Sequence, residues 1–143
     1  MPLEETNPAV WTDEERWQAL MENVKDYGIL MLDPEGNIVT WSLGAERILG
    51  YKEEEILGHN FCEIFTPHDV SKEQPQFELK EARDKGRAED ERWHLRKDGS
   101  RFWASGVVTP LWSNDGILRG FTKVLRDITE RKRAQAGRRD LEE

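Results

Sequence analysis

Two turn signals, Lys97-Asp98-Gly99-Ser100 and Ser113-Asn114-Asp115-Gly116, divide the second half of this chain into three β-rich runs. Asp-Gly supplies the positive φ that a tight hairpin needs. Residues 89–96, 101–112 and 117–125 are therefore predicted to be three consecutive antiparallel strands. A third turn, Asp33-Pro34-Glu35-Gly36-Asn37, separates the apolar run 27–32 from Ile38-Val39-Thr40-Trp41 and predicts a hairpin near the start. Between the two strand groups the signals are helical. Ser42 can cap a helix carrying Ala45, Ile48 and Leu49, stopped by Gly50. Residues 53–57 form another short helix, and Pro75 opens a longer one with Phe77, Leu79 and Ala82, closed by Gly86. Strands at both ends of a helical middle define an α+β class with an antiparallel sheet.

Helices flank this core. Thr12 with Glu15 three residues on is a capping box. Trp17, Leu20, Met21 and Val24 follow at the spacing of one helical face, after a loose lead-in over residues 1–10. At the other end, Asp127 is predicted to cap a final helix with Glu130 at its third position. Beyond Lys132, Ala134 and Leu141 are too sparse for a heptad seam, and Gly137 interrupts it.

At 143 residues, one domain is expected. With 36% hydrophobic and 35% charged residues the composition is polar, as exposed helices beside a compact centre would give. Cys62 is the single cysteine, so no internal disulfide forms and a reducing cytoplasm is the expected location. The longest apolar run, residues 28–32, is far below the roughly 20 residues of a membrane span. Met1-Pro2-Leu3-Glu4-Glu5 lacks the basic start of a signal peptide. The net charge is −8, and the basic run Arg131-Lys132-Arg133 is mixed with acidic residues, so no nucleic-acid partner is expected. His59, His68 and His94 lie in separate elements, and no metal-ligand spacing, phosphate loop or catalytic triad appears. Neither catalytic nor metal residues are assigned.

Four segments in order carry a resemblance: Gly44-Ala45-Glu46-Arg47-Ile48-Leu49-Gly50-Tyr51; Glu54-Glu55-Ile56-Leu57-Gly58; Arg96-Lys97-Asp98-Gly99-Ser100 with Phe102-Trp103; and Gly120-Phe121 with Arg126-Asp127-Ile128-Thr129-Glu130-Arg131-Lys132. Residues 27–132 resemble a PAS domain, the sensory module of bacterial signalling proteins such as histidine kinases and chemotaxis-methyltransferase fusions. The resemblance implies a five-stranded antiparallel sheet with short helices on one face and flanking N- and C-terminal helices. It also implies a ligand cavity and an input role, with any catalysis in a larger parent. The division expected is a leading segment 1–26, a PAS core 27–128 and the start of a signalling helix from 129 to 143.

The cofactor is left open. The light-sensing branch of the family forms a flavin–cysteine adduct within Gly-Arg-Asn-Cys-Arg-Phe; here the stretch is Gly58-His59-Asn60-Phe61-Cys62-Glu63, with Phe61 at the adduct position. Ala104 and Leu125 stand where that branch has Asn and Gln. LOV photochemistry is rejected on these departures. Haem-binding relatives use a His on or just before the long helix; residues 75–85 contain none, and His68 sits in a loop context. His94 falls where flavin-binding relatives place an inward polar residue. Strand alternation puts Arg92 and His94 on one face and Trp93 and Leu95 on the other. If the first pair faces inward, an anionic or carbonyl-bearing ligand is favoured; if the second does, Arg92 and His94 are solvated. A third arrangement pairs Arg92 with Glu89 or Asp90 and leaves no ligand. The cavity set implied is Ile48, Phe65, Phe77, Arg92, His94, Ala104 and Leu125.

Six tryptophans are predicted to serve mostly as core. The alternative is a dimer patch of Trp17, Leu20 and Val24, with Trp11 and Trp103 as further candidates. The resemblance places the output junction at Asp127, Ile128 and Thr129. Two functions stay open: a ligand-sensing input module acting on a downstream domain of the same chain, or a dimerisation and interaction module with a filled core.

Overall fold

The first helix begins where its capping chemistry dictates. In the computed structural model, which describes residues 10–24 and 26–142, α1 (Asp13–Asn23) follows Thr12, whose hydroxyl accepts from Glu15 N while the Glu15 carboxylate accepts from Thr12 N. Of the expected lead-in, residues 1–9 lie outside the described residues, as does Lys25 in the leading segment.

β1 (Tyr27–Leu32) and β2 (Ile38–Trp41) form the first hairpin. Asp33 holds its turn, accepting from Glu35 N and Asn37 N at 2.9 Å each. Ser42 Oγ accepts from both Ala45 N and Ile29 N, so one hydroxyl starts α2 (Leu43–Leu49) and ties it to β1. α3 (Glu53–Ile56), a 3-10 turn over Phe61–Ile64, α4 (Pro67–Ser71) and α5 (Gln74–Lys85) complete the helical middle. α4 is not foreseen from sequence: Pro67 marks its first turn, and Thr66 Oγ1 caps it by accepting from Asp69 N. β3 (Ala88–Leu95), β4 (Arg101–Trp112) and β5 (Leu118–Asp127) follow, then α6 (Thr129–Glu142).

The five strands form one sheet in the order β2-β1-β5-β4-β3, every neighbour antiparallel. The last strand is therefore central. Alternation sorts the faces: Leu30 and Leu32, Phe121 and Leu125, and Phe102, Ala104 and Val108 point under the helices, where Ile56, Phe61, Ile64 and Phe65 meet them. Gly120, at φ +153°, lies where β5 crosses the end of β1; a Cβ there would stand 2.0 Å from the Leu32 carbonyl oxygen.

Two sequence expectations are corrected. Among the described residues only Trp41, 4% exposed, is a core tryptophan. Trp93 and Trp103 occupy outward positions of β3 and β4 and meet edge to face, centroids 5.2 Å apart, while Trp11, Trp17 and Trp112 are about half exposed. Asp127 is not the helix cap: Ile128 N still donates to Trp103 O, so the strand pairing persists and the helix starts only at Thr129. The α6 backbone runs through Gly137, which interrupts the apolar spacing and not the helix; the side chain of Leu141 lies outside the described residues.

Candidate functional site: a buried charge cluster under the central strand

β5 alternates Phe121, Lys123, Leu125 on its inner face, so the pleat carries an ammonium into the core. Lys123 is 0% exposed and its Nζ lies 2.8 Å from Glu78 Oε1. Its Nζ also stands over the rings of Phe65 (4.8 Å) and Phe61 (5.7 Å). Glu78 is itself buried because α5 turns Pro75, Glu78, Leu79 and Ala82 inward at helical spacing. Phe77, two residues after Pro75, falls on the opposite side and is 56% exposed. The expectation that Phe77 lines the interior is thus corrected; Glu78 takes the place.

Arg92 extends the cluster. Its Nε is 3.6 Å from Glu78 Oε2 and also bonds Asp90, while Nη1 donates to Asp69 at 3.1 Å. Asp90 therefore pairs with Arg92 as one of the sequence alternatives held, whereas Glu89 turns out to Arg87. His94 is 1% exposed, its ring set edge-on to Phe65 at 4.7 Å. Arg92 and His94 thus face inward, and Trp93 and Leu95 outward. Two buried polar atoms in this cluster lack a hydrogen-bond partner: Glu78 Oε2 and His94 Nδ1.

The electrostatics follow from burial. Desolvation pushes the Glu78 carboxyl above the ordinary range, against the Lys123 ammonium, which lowers it; nearby Asp90 adds to the rise. The His94 imidazole is held well below its usual value, first by burial and then by the cations of Lys123 and Arg92, so it is neutral at pH 7. Arg92 is raised by Asp90 and Asp69 despite its own desolvation.

Of the other sequence-derived positions, Phe65, Ala104 and Leu125 lie in this interior. Ile48 is half-buried and packs against the edge of the core, and its carbonyl accepts from Arg96. Lys123 and Glu78 are missed by the sequence reading. The signal for Lys123 is its inward phase between Phe121 and Leu125; for Glu78 it is the spacing from Pro75 and Ala82. His68 is exposed on α4, and burial raises the half-buried Cys62 thiol.

The junction is sewn to two elements. Asp127 Oδ1 accepts from Thr129 N at 2.9 Å and Oδ2 from Arg96 Nη2 at 3.1 Å. Arg96 Nη1 reaches the Ile48 carbonyl at 3.0 Å, and the guanidinium covers the Phe102 ring. Thr129 Oγ1 accepts from Trp103 N, and Lys132 Nζ stands 4.0 Å over the Trp103 ring. On the opposite side, Trp17 and Leu20 of α1 are exposed and Val24 is half-buried. Trp17 and Met21 form one wall of an open groove of about 810 Å³ against Val39, Leu43 and Leu57. The groove lies on the surface, and none of Lys123, Glu78, Arg92 and His94 lines it.

A family model for the PAS domain matches residues 26–130, and the chain belongs to that family. It is 48% identical over 122 residues to Two-component system protein A of Emericella nidulans, covering 85% of this chain and 18% of that protein. It is 30% identical over 135 residues to Sensor histidine kinase TmoS of Ectopseudomonas mendocina, covering 93% and 14%. The chain thus spans less than a fifth of each of these relatives. Among solved structures, the PAS domain of a Colwellia psychrerythraea protein superposes with TM-score 0.74 at 23% identity, covering 83% of this chain and 99% of the other. The module is of the sensory kind found in signal-transduction proteins such as histidine kinases.

Proposed function

We propose that this chain is a ligand-sensing input module whose interior cluster of Lys123, Glu78, Arg92 and His94 acts on a downstream effector, such as a histidine kinase of the same polypeptide, through α6. In this reading residues 27–128 are the sensory core, residues 1–26 the leading segment, and residues 129–143 the start of the output helix, all in the cytoplasm. One observation carries it: Lys123 and Asp127 lie on the same face of the central strand, four residues apart. A change in the pairing of Lys123 alters a strand whose end is bonded to the first residue of α6. The ligand exerts that effect by binding one arrangement more tightly than the other. Trp17, Leu20 and Val24 form the dimer contact of the proposed homodimer. The second reading, an interaction module without a ligand, is favoured by the packing of Phe61, Phe65, Phe102 and Phe121, all fully buried, around the same cluster.

The test is a paired replacement, Glu78→Leu with Lys123→Met, which keeps the volume apolar and the chain folded. Amide resonances of Ile128, Thr129 and Lys132 are expected to shift relative to the native chain. Junction resonances that stay in place while those of Phe65 and Val108 move would overturn the sensing reading.

A further inference from the structure

Four elements enclose the surface groove beside α1. Glu14, Trp17, Gln18 and Met21 line it from α1, at the spacing of one helical side. Val39, Thr40 and Trp41 come from β2, the edge strand of the sheet. Leu43 and Glu46 of α2, with Glu53 and Leu57 at the two ends of α3, complete it. Its exposed side chains are of two kinds. Trp17, Val39, Leu43 and Leu57 are 48%, 52%, 53% and 40% exposed, so large apolar groups face water around one concavity. Glu14, Glu46 and Glu53 supply all of its charge among the described residues, and none of the three is in an ion pair there. Each occupies the first turn of its helix, where the dipole stabilises a carboxylate without a cation from the same chain. The groove, of about 810 Å³, thus joins an apolar lining to charge of one sign.

We propose that this groove docks a cationic amphipathic segment of another protein. Its large apolar side chains pack on Trp17, Val39, Leu43 and Leu57, and its Lys or Arg side chains meet Glu14, Glu46 and Glu53. Charge selects this occupant over the others. Two copies meeting groove to groove would set carboxylate against carboxylate. Residues 1–9 of the chain carry Glu4 and Glu5 and no Lys or Arg, so they meet the same repulsion. α6 has the right sign in Arg131, Lys132 and Arg133, but Ala134 and Ala136, the apolar residues that follow, are too small to fill a groove of this size. An anionic bilayer surface is repelled by all three carboxylates. In the proposed complex the buried apolar anchors carry the affinity, and the opposite charges steer the encounter and fix the register. The inference goes beyond the sensory reading and does not depend on it. Trp17 also belongs to the proposed dimer patch, so the test uses side chains outside that patch.

The experiment titrates the ¹⁵N-labelled full chain with a synthetic peptide of about 14 residues, roughly four helical turns, bearing leucines at i, i+3, i+4 and i+7 and lysines elsewhere. A second peptide carries glutamates in place of the lysines. The lysine peptide is expected to shift the amides of Val39, Thr40, Leu43 and Leu57 in a saturable way, with affinity that weakens as salt is added. The glutamate peptide is expected to leave them in place. Glu46→Lys with Glu53→Lys is expected to weaken binding of the lysine peptide about tenfold or more. Val39→Ser with Leu43→Ser, which removes apolar lining and no charge, is expected to weaken it to a similar extent. Unchanged resonances of the buried Leu30 and Phe102 show that each variant is folded. Saturable binding on another face, equal binding of the two peptides, or an affinity that the Glu46 and Glu53 replacements leave unchanged overturns the proposal. So do groove amides that neither peptide moves. Self-association of the peptide-free chain that is lost in Val39→Ser with Leu43→Ser makes a second copy the occupant, and overturns it as well.

Discussion

Lys123 Nζ and Glu78 Oε1 meet at 2.8 Å with side chains 0% and 4% exposed, joining the central strand to the long helix through charges that water does not reach. Coulomb attraction in such a place is strong, and so is the desolvation of each partner. The asymmetry between breaking the pair and replacing it follows. Glu78→Ala is expected to cost about 3–5 kcal/mol, because it strands the ammonium. Glu78→Leu with Lys123→Met is expected to be neutral or to gain about 1–4 kcal/mol. Urea denaturation of the three proteins measures both.

His94 makes stability depend on pH in a definite direction. Its folded-state value is depressed, so below about pH 6.5, the ordinary imidazole value, the unfolded chain binds a proton that the native chain refuses. Stability therefore falls on acidification from that point. Glu78, with a raised value, acts in the opposite sense: its contribution is present below the ordinary carboxylate value and is lost as pH rises through the raised one. Comparing the native chain with His94→Phe between pH 7.5 and 5.5 isolates the histidine, and the variant is expected to show the flatter profile.

Gly120 tolerates no side chain. A Cβ 2.0 Å from the Leu32 carbonyl oxygen forces β1 and β5 apart at a backbone contact that no rotamer relieves. Gly120→Ala is expected to destabilise by about 3 kcal/mol or more. Gly116→Ala, where a Cβ meets nothing within 4 Å and only the positive φ objects, is expected to cost about 1 kcal/mol. Thermal unfolding of the two ranks them.

Asp127→Ala removes the acceptor for both Thr129 N and Arg96. The expected loss is about 1–3 kcal/mol, with faster amide exchange confined to the first turn of α6. Uniform exchange across the sheet would show that Asp127 acts on global stability and not on the helix start.

Trp17 and Leu20 are 48% and 62% exposed on one side of α1. Trp17→Asp with Leu20→Asp is expected to convert a dimer to a monomer by light scattering. A mass unchanged from that of the native chain removes this patch as the dimer contact.

The legible parts of the fold were those with local chemistry. The Asp33 turn, the Ser42 cap and the Asp98-Gly99 hairpin each close a hydrogen bond within a few residues, and the elements they bound are found. Alternation on β3 put Arg92 and His94 on one face without saying which face was inward; the buried His94 ring decides it. The interior partners were harder, because Lys123 and Glu78 are 45 positions apart and each alone reads as a surface charge. The tryptophans misled for a related reason. Trp93 and Trp103 pair across β3 and β4 on the outer face, where Arg101 and Lys132 cover them, and composition does not encode which face a register selects.

Placing β5 at the centre of the sheet has a mechanical consequence. Hydrogen bonded to β1 on one flank and β4 on the other, it is sleeved along its length and resists sideways bending. Lys123 and Asp127 are four residues, about 13 Å, apart on it. An extended backbone hardly shortens over such a span, so the proposed coupling would have the strand act between ammonium and carboxylate as a rod of nearly fixed length.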